Sequence, residues 1–81
     1  MEYLDIIWDE NKNMQNIISQ KISFDEAKTV FFDSNAKIIF DPDHSKEEDR
    51  FIILGLSKLI NILVVFHCYR ENDNIIRIIS A

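Results

Sequence analysis

The sequence is poor in residues that break or cross-link a chain, with one cysteine, one glycine and one proline among 81 residues. Cys68 alone cannot form an intramolecular disulfide, which is typical of a reducing compartment. With Gly55 as the only glycine, a glycine-rich loop for nucleoside triphosphates is excluded. No apolar run approaches the 18 residues of a membrane span, and the amino terminus lacks the features of a signal peptide. We therefore expect a cytoplasmic protein without a membrane segment.

Positive charge is also scarce, because 14 acidic residues oppose 9 lysines and arginines and leave a net charge of −5. The imbalance lies in the first part of the chain. Residues 1–49 carry five lysines against twelve carboxylates, whereas residues 50–81 carry four basic side chains against two. Nucleic-acid binding proteins usually present a basic surface. The total charge argues against such binding, and any anion site is expected in the second part.

The chain has enough apolar residues for one core, at 47% of the composition. Its length allows a single domain over residues 1–81. The apolar pattern predicts short strands at 3–7 and 37–40, and further strands at 51–56, 60–70 and 75–80. Turns are predicted at 57–59 and 71–74, and Pro42 indicates another at 41–44.

Two helices are predicted between the first two strands. Asp9 can cap a helix from Glu10, in which Met14, Ile17 and Ile18 recur at helical spacing. Ser23 and Glu26 have the spacing of a capping box, in which each side chain accepts a hydrogen bond from the backbone N–H of the other residue. The buried stripe of this second helix is predicted to contain three residues, Ala27, Val30 and Phe31, and the helix to end at 33–35.

The element order predicts an α+β fold, with two helices on one face of a mainly antiparallel sheet of four to five strands. The last three strands are apolar on both faces, with Leu54, Leu63 and Val65 predicted on one side and Ile53, Val64 and Phe66 on the other. One helical layer covers one face. A partner protein is therefore expected to cover part of the other face.

Five segments of the sequence resemble the BrnT family in order and spacing. They are Trp8-Asp9-Glu10-Asn11-Lys12, Ile22-Ser23-Phe24-Asp25-Glu26-Ala27, Asp41-Pro42-Asp43-His44-Ser45, Arg50-Phe51-Ile52-Ile53-Leu54-Gly55 and Arg77-Ile78-Ile79-Ser80-Ala81. The resemblance implies a RelE-like fold and metal-independent RNA cleavage that arrests translation. It also implies neutralisation by a BrnA-type antitoxin of the ribbon-helix-helix class. Operator DNA would then be bound only through the antitoxin.

The sequence departs from this family in two places. The family usually has Lys-His-Gly where this chain has Ser19-Gln20-Lys21. The family also continues with an arginine and a basic helical tail, whereas this sequence stops at Ala81. On this comparison the domain is expected to lack the basic carboxyl-terminal helix, which would account for part of the acidic balance.

Metal-independent cleavage of RNA needs a base for the ribose 2′-hydroxyl, a cation for the phosphate and an acid for the leaving 5′-oxygen. A carboxylate or imidazole can be the base, an arginine suits the phosphate and an imidazolium can be the acid. No metal and no cofactor are expected. The predicted catalytic residues are Glu48, Arg50, His67 and Arg77, and the predicted RNA-binding residues are Lys12, Tyr69 and Arg70.

Strand register decides whether these residues meet. A first hairpin that turns at 58–59 places Arg50 opposite His67, and a second loop centred on Asn72 places His67 opposite Arg77. Both registers would gather the three side chains on one face near Tyr69, whereas a slip of one residue would separate them.

Structural explanations compete with each functional assignment. Arg50 and Glu48 at a strand start are compatible with a surface ion pair, and His67 in an apolar strand with a structural histidine. Arg77 is also compatible with an antitoxin contact, and Cys68 with a small buried apolar residue. The donors of the 41–44 turn match no metal-binding spacing. Trp8 is expected to pack on the core rather than read bases.

Three functions therefore stay open. The first is an endoribonuclease toxin. The second is a weakened or inactive relative that binds a BrnA-like antitoxin and regulates their operon, as the acidic balance and the two departures favour. The third is a protein-interaction domain unrelated to toxins.

Overall fold

The computed structural model describes residues 5–81, so residues 3 and 4 of the first predicted strand lie outside the described part. Two short 3-10 helices span Val30–Phe32 and Pro42–His44. The described residues include no helix of the length and hydropathy that a membrane span requires. The main elements are β1 (Asp5–Ile7), α1 (Glu10–Gln20), α2 (Phe24–Thr29), β2 (Lys37–Phe40), β3 (Phe51–Leu56), β4 (Ile62–Arg70) and β5 (Ile75–Ser80).

The five strands form one mixed sheet in the order β1-β5-β4-β3-β2. The predicted α+β class is confirmed. Hairpins make β2, β3, β4 and β5 antiparallel neighbours, whereas β1 pairs with β5 in parallel. The sheet is therefore not purely antiparallel, because β1 and β5 are separated by most of the chain and need no hairpin. The helices follow β1 rather than opening the fold.

Side-chain caps start both helices at the predicted positions. Asp9 Oδ1 accepts from the Asn11 backbone N–H at 3.4 Å, and Ser23 Oγ accepts from the Glu26 N–H at 3.0 Å. The Glu26 carboxylate accepts from Ser57 Oγ at 2.6 Å and from Asn61 Nδ2 at 2.8 Å. Glu26 thus connects α2 to the β3–β4 turn. The capping box predicts instead that Glu26 accepts from the Ser23 N–H.

The core lies between α2 and one face of the sheet, called here the covered face. Gly55 on β3 lets the 3-10 helix after α2 and the segment that follows it approach the sheet closely, because a Cβ at this position would lie 2.9 Å from both Val30 Cγ1 and Ala36 Cβ. Trp8 packs edge-on against Phe24, with ring centroids 6.1 Å apart, as the sequence predicts. The buried cluster comprises Phe24, Ala27, Val30, Ile53, Leu63, Val65 and Ile78.

Although α1 is fully described, none of its side chains joins this core. Met14, Ile17 and Ile18 are exposed, so the apolar stripe expected to face the interior is turned outward. The buried side chains are Asn13 and Asn16. Asn13 Oδ1 accepts from the Phe24 N–H at 2.8 Å, and Asn16 Nδ2 donates to carbonyl oxygens of Ile22 and Ala81 at 3.0 and 2.9 Å. Backbone groups at the start of α2 and at the chain end require these partners, which brings the polar side of α1 inward.

The register between β3 and β4 differs by one residue from the predicted one. Ile53 pairs with Val65 and Leu54 pairs with Val64. Ile53 therefore shares the covered face with Leu63 and Val65, and the predicted grouping of Leu54 with those two residues is wrong. The cause is the turn, which spans 57–61 instead of 57–59 and closes with a hydrogen bond from the Ser57 N–H to the Asn61 carbonyl.

Candidate functional site

The second face of the sheet, called here the open face, carries a shallow depression of about 100 Å³. Cys68 on β4 pairs with Arg77 on β5, and Arg70 lies two residues further along β4 on the same side. Arg50 precedes β3, and Lys12 extends to the depression from α1. Its lining residues are Lys12, Glu48, Arg50, Cys68, Arg70, Arg77 and Ile79.

Four cationic side chains surround this depression and form the basic cluster, which consists of Lys12, Arg50, Arg70 and Arg77. Glu48 is the carboxylate among the lining residues, and its Oε2 lies 2.7 Å from Arg70 Nη1. The chain therefore concentrates positive charge at this site despite its net charge of −5. An excess of guanidinium and ammonium groups over carboxylate is what a phosphate group requires.

His67 lies on the covered face, away from the basic cluster. It pairs with Phe51 and Ile78, so both predicted registers that would bring it beside Arg50 and Arg77 are wrong. Its side chain is 0% exposed. Nδ1 lies 3.3 Å from the Val65 carbonyl oxygen and Nε2 lies 3.3 Å from the Tyr69 hydroxyl.

The surroundings of His67 disfavour its charged form. Burial lowers the pKa of the His67 imidazole below its ordinary value, although the bond to the Val65 carbonyl opposes this effect. Burial also raises the pKa of the neighbouring Tyr69 hydroxyl. Phe31 packs edge-on against His67 with ring centroids 4.8 Å apart. These contacts are typical of a structural histidine in an aromatic cluster.

Cys68 forms part of the floor of the depression and is buried, as the sequence predicts. Burial raises the pKa of its thiol, and the charge of Glu48 raises it further, whereas Arg70 and Arg77 act in the opposite direction. The thiol is thus kept in its neutral form. Its surroundings favour packing over nucleophilic chemistry.

Glu48 and Arg50 are positioned by the loop that joins β2 to β3. The Asp41 N–H donates to the Arg50 carbonyl at 2.9 Å, which closes the loop at its base. Ser45 Oγ donates to the Asp41 carbonyl at 2.6 Å and accepts from the Arg50 N–H at 2.9 Å. These bonds tie the start of β3 to the end of β2, so that the charged segment between them projects at the open face.

The same loop presents His44, which the sequence analysis treats only as a doubtful metal donor. His44 Nδ1 lies 2.8 Å from Asp41 Oδ2, and its ring lies 6.3 Å from that of Phe66, an open-face residue of β4. A second depression of about 250 Å³ surrounds it and shares Glu48 and Arg50 with the first. The available sequence signal is the Asp-x-x-His spacing on a one-turn helix.

Within residues 5–81, no three side chains of His, Cys, Asp or Glu lie close enough together to hold a metal ion. The donors at 41–44 do not form such a group.

A five-stranded mixed sheet with one covered face and a basic cluster on the other defines a small α+β domain with a positively charged depression on its open face. Comparison with known families matches residues 8–81 to the family described as "Ribonuclease toxin, BrnT, of type II toxin-antitoxin system". The chain belongs to this family. Its membership of a type II system implies an antitoxin partner. A search of curated proteins found no match.

Proposed function

We propose that this protein is a metal-independent endoribonuclease with a RelE-like fold that inhibits translation and is neutralised by a BrnA-like antitoxin. The observation that carries the proposal is the basic cluster beside Glu48 on the open face of the sheet. Such a cluster supplies the charge that the composition lacks, and membership of a ribonuclease toxin family supports RNA as the anion.

The arginines of the cluster would bind the scissile phosphodiester. Arg50 and Arg77 line the depression and offer forked N–H donors to the phosphate oxygens, on which negative charge accumulates during attack. Glu48 would accept the proton of the ribose 2′-hydroxyl, since its carboxylate is partly exposed and lines the same depression as Arg50 and Arg70. Lys12 would contact a flanking phosphate.

The antitoxin would dock on the apolar part of the open face. Because α2 covers only the other face, five large side chains stay exposed on β2, β3 and β4, namely Ile39, Leu54, Leu56, Ile62 and Val64. An exposed apolar area of this kind is typical of a protein-binding surface. A ribbon-helix-helix antitoxin seated there would lie beside the basic cluster and exclude RNA from it. We expect a heterotetramer built on an antitoxin dimer, with operator DNA bound through the antitoxin.

Arg50→Ala tests the proposal directly. Loss of one charge-stabilising group at a reacting phosphate costs about 10²- to 10³-fold in rate. We expect that loss in cleavage of total RNA by the purified chain, with no change in the urea midpoint of unfolding. Lys58→Ala is the matched control, because Lys58 is an exposed cation in the β3–β4 turn at the other end of β3. Equal cleavage by the Arg50→Ala and Lys58→Ala proteins would remove Arg50 from the mechanism.

One observation favours a second function, an inactive relative that binds antitoxin and regulates the operon without cutting RNA. The imidazole predicted for catalysis, that of His67, is enclosed in the covered face. On this alternative the wild-type chain binds antitoxin tightly, leaves RNA intact and causes no growth arrest when expressed alone. Growth on induction with and without the adjacent antitoxin gene separates the two functions.

A further inference from the structure

We propose that His44, oriented by Asp41, is the general acid that protonates the leaving 5′-oxygen, an inference that rests on the proposed ribonuclease function. The chain has two histidines, and the buried one cannot reach an RNA strand bound on the open face. The His44 imidazole lines the second depression together with Glu48 and Arg50.

The geometry of the Asp41–His44 pair supports a role in proton transfer. The Asp41 side chain is only 7% exposed and also accepts from the Asp43 N–H at 3.2 Å, so the carboxylate is held in place. The His44 side chain is 59% exposed. An Nδ1–H directed at Asp41 Oδ2 leaves Nε2, on the far side of the ring, accessible to a substrate. Asp41 thus acts as a positioning residue for His44.

The position of His44 fits a substrate held by the basic cluster. The depression around His44 and the depression of the basic cluster share Glu48 and Arg50, so a phosphate bound by Arg50 would lie where the two depressions meet. The ring also stands near Phe66, whose face could support a nucleobase. The charged and titratable groups around His44 are Asp41, Asp43, Lys46, Glu47, Glu48 and Arg50.

The reaction balances with these groups. The 2′-hydroxyl gives its proton to Glu48 as its oxygen forms a bond to phosphorus. The bond between phosphorus and the 5′-oxygen breaks, and the imidazolium of His44 gives its Nε2 proton to that oxygen. The products are a 2′,3′-cyclic phosphate and a 5′-hydroxyl, without an oxidant, a reductant or water.

Two variants separate proton transfer from a structural role of the turn. His44→Asn keeps an N–H donor near the position of Nδ1 but cannot act as an acid, whereas His44→Ala leaves space for imidazole added to the buffer. General acid catalysis contributes roughly 10²- to 10⁴-fold. We expect both variants to lose at least about 100-fold in cleavage of an RNA oligonucleotide that the wild type cuts, with unchanged urea midpoints. Imidazole should restore the His44→Ala protein but not the Arg50→Ala protein.

A substrate with a sulfur-bridged 5′-phosphorothiolate at the cut site tests the direction of proton transfer. A thiolate leaves without protonation, so the wild type and the His44→Asn protein should cut this substrate at rates within about threefold of each other, because an acid then contributes little. A persistent large difference would assign His44 a role other than the acid and overturn the inference.

The remaining outcomes are also decisive. A His44→Asn protein that cuts ordinary RNA as fast as the wild type overturns the role of His44 and leaves the ribonuclease function standing. A wild-type chain that leaves RNA intact overturns both the ribonuclease function and this inference.

Discussion

The two faces of the sheet differ in what their side chains do. Val64 and Val65 are neighbours on β4, yet Val65 is 0% exposed under α2 and Val64 is 43% exposed on the open face. The covered face carries the buried cluster, whereas the open face carries the basic cluster and exposed apolar side chains. Because strand residues alternate between faces, neighbouring positions differ in whether they belong to the buried core. Substitutions on the open face are therefore expected to affect the fold less than substitutions on the covered face.

The two histidines repeat this contrast. His67 is enclosed by Phe31, Phe51 and Tyr69, where burial favours its neutral form. His44 projects from a loop on the open face and contacts a buried carboxylate. The same residue type thus serves packing on one face and is available for chemistry on the other.

The largest effect on folding is expected from a matched pair of valine substitutions. Val65→Ala removes two fully buried methyl groups and should lower the free energy of unfolding by about 2 kcal/mol. Val64→Ala on the open face should lower it by no more than about 0.5 kcal/mol. Urea unfolding followed by circular dichroism measures both. Equal losses would mean that the open face is covered in solution, for instance by a second copy of the chain.

A smaller effect is expected from pH. Burial lowers the pKa of His67 in the folded chain below its ordinary value of 6.5, so below about pH 6.5 the unfolded chain binds more protons. The free energy of unfolding should therefore fall as the pH drops from 7.5 to 5.5. The slope for a single group is at most about 1.4 kcal/mol per pH unit.

His67→Gln is the variant that assigns this effect, because it removes the titrating group from the covered face. Its unfolding free energy should vary less between pH 7.5 and 5.5 than that of the wild type. His44→Asn serves as the control and should keep the His67 contribution. An unchanged pH dependence in the His67→Gln protein would place the responsible group elsewhere.

The smallest effect is expected from a substitution in the turn between β3 and β4. Ile60 has a φ of 64° and is 77% exposed, so a β-branched side chain is strained there without burial in return. Ile60→Asn should raise the free energy of unfolding by about 1 kcal/mol, since asparagine tolerates this conformation. Leu59→Asn, at an exposed neighbour without positive φ, should give no gain. A gain of the same size at both positions would point to the replacement of an exposed apolar side chain by a polar one rather than to relief of backbone strain.

Local patterns predicted much of the secondary structure. The bounds of β2, β3 and β5, the helix starts after Asp9 and Ser23, and the turn at 71–74 were all available from the sequence. These features depend on contacts within a few residues. The sequence did not predict which side of α1 faces inward. Met14, Ile17 and Ile18 have the spacing of a buried stripe although they are exposed. The hydrogen-bond partners of Asn13 and Asn16 are distant in sequence, so local patterns do not show that these side chains are buried.

The structure brings together only some of the side chains that the sequence proposes for the site. Glu48, Arg50 and Arg77 line one depression together with Lys12 and Arg70. His67 lies on the covered face instead, because the β3–β4 register differs by one residue from the expected one. The position of His44 depends on the fold of the 41–50 loop, which local sequence patterns do not determine. A register shift of one residue moves a side chain to the opposite face.

By itself, the sequence determined the α+β class, the likeness to a toxin family and the net positive charge of residues 50–81, since composition, local spacing and motif order carry that information. Only the tertiary structure decided which side chains share a face. That choice depends on turn lengths and on hydrogen bonds between distant residues, and both are set when the sheet assembles.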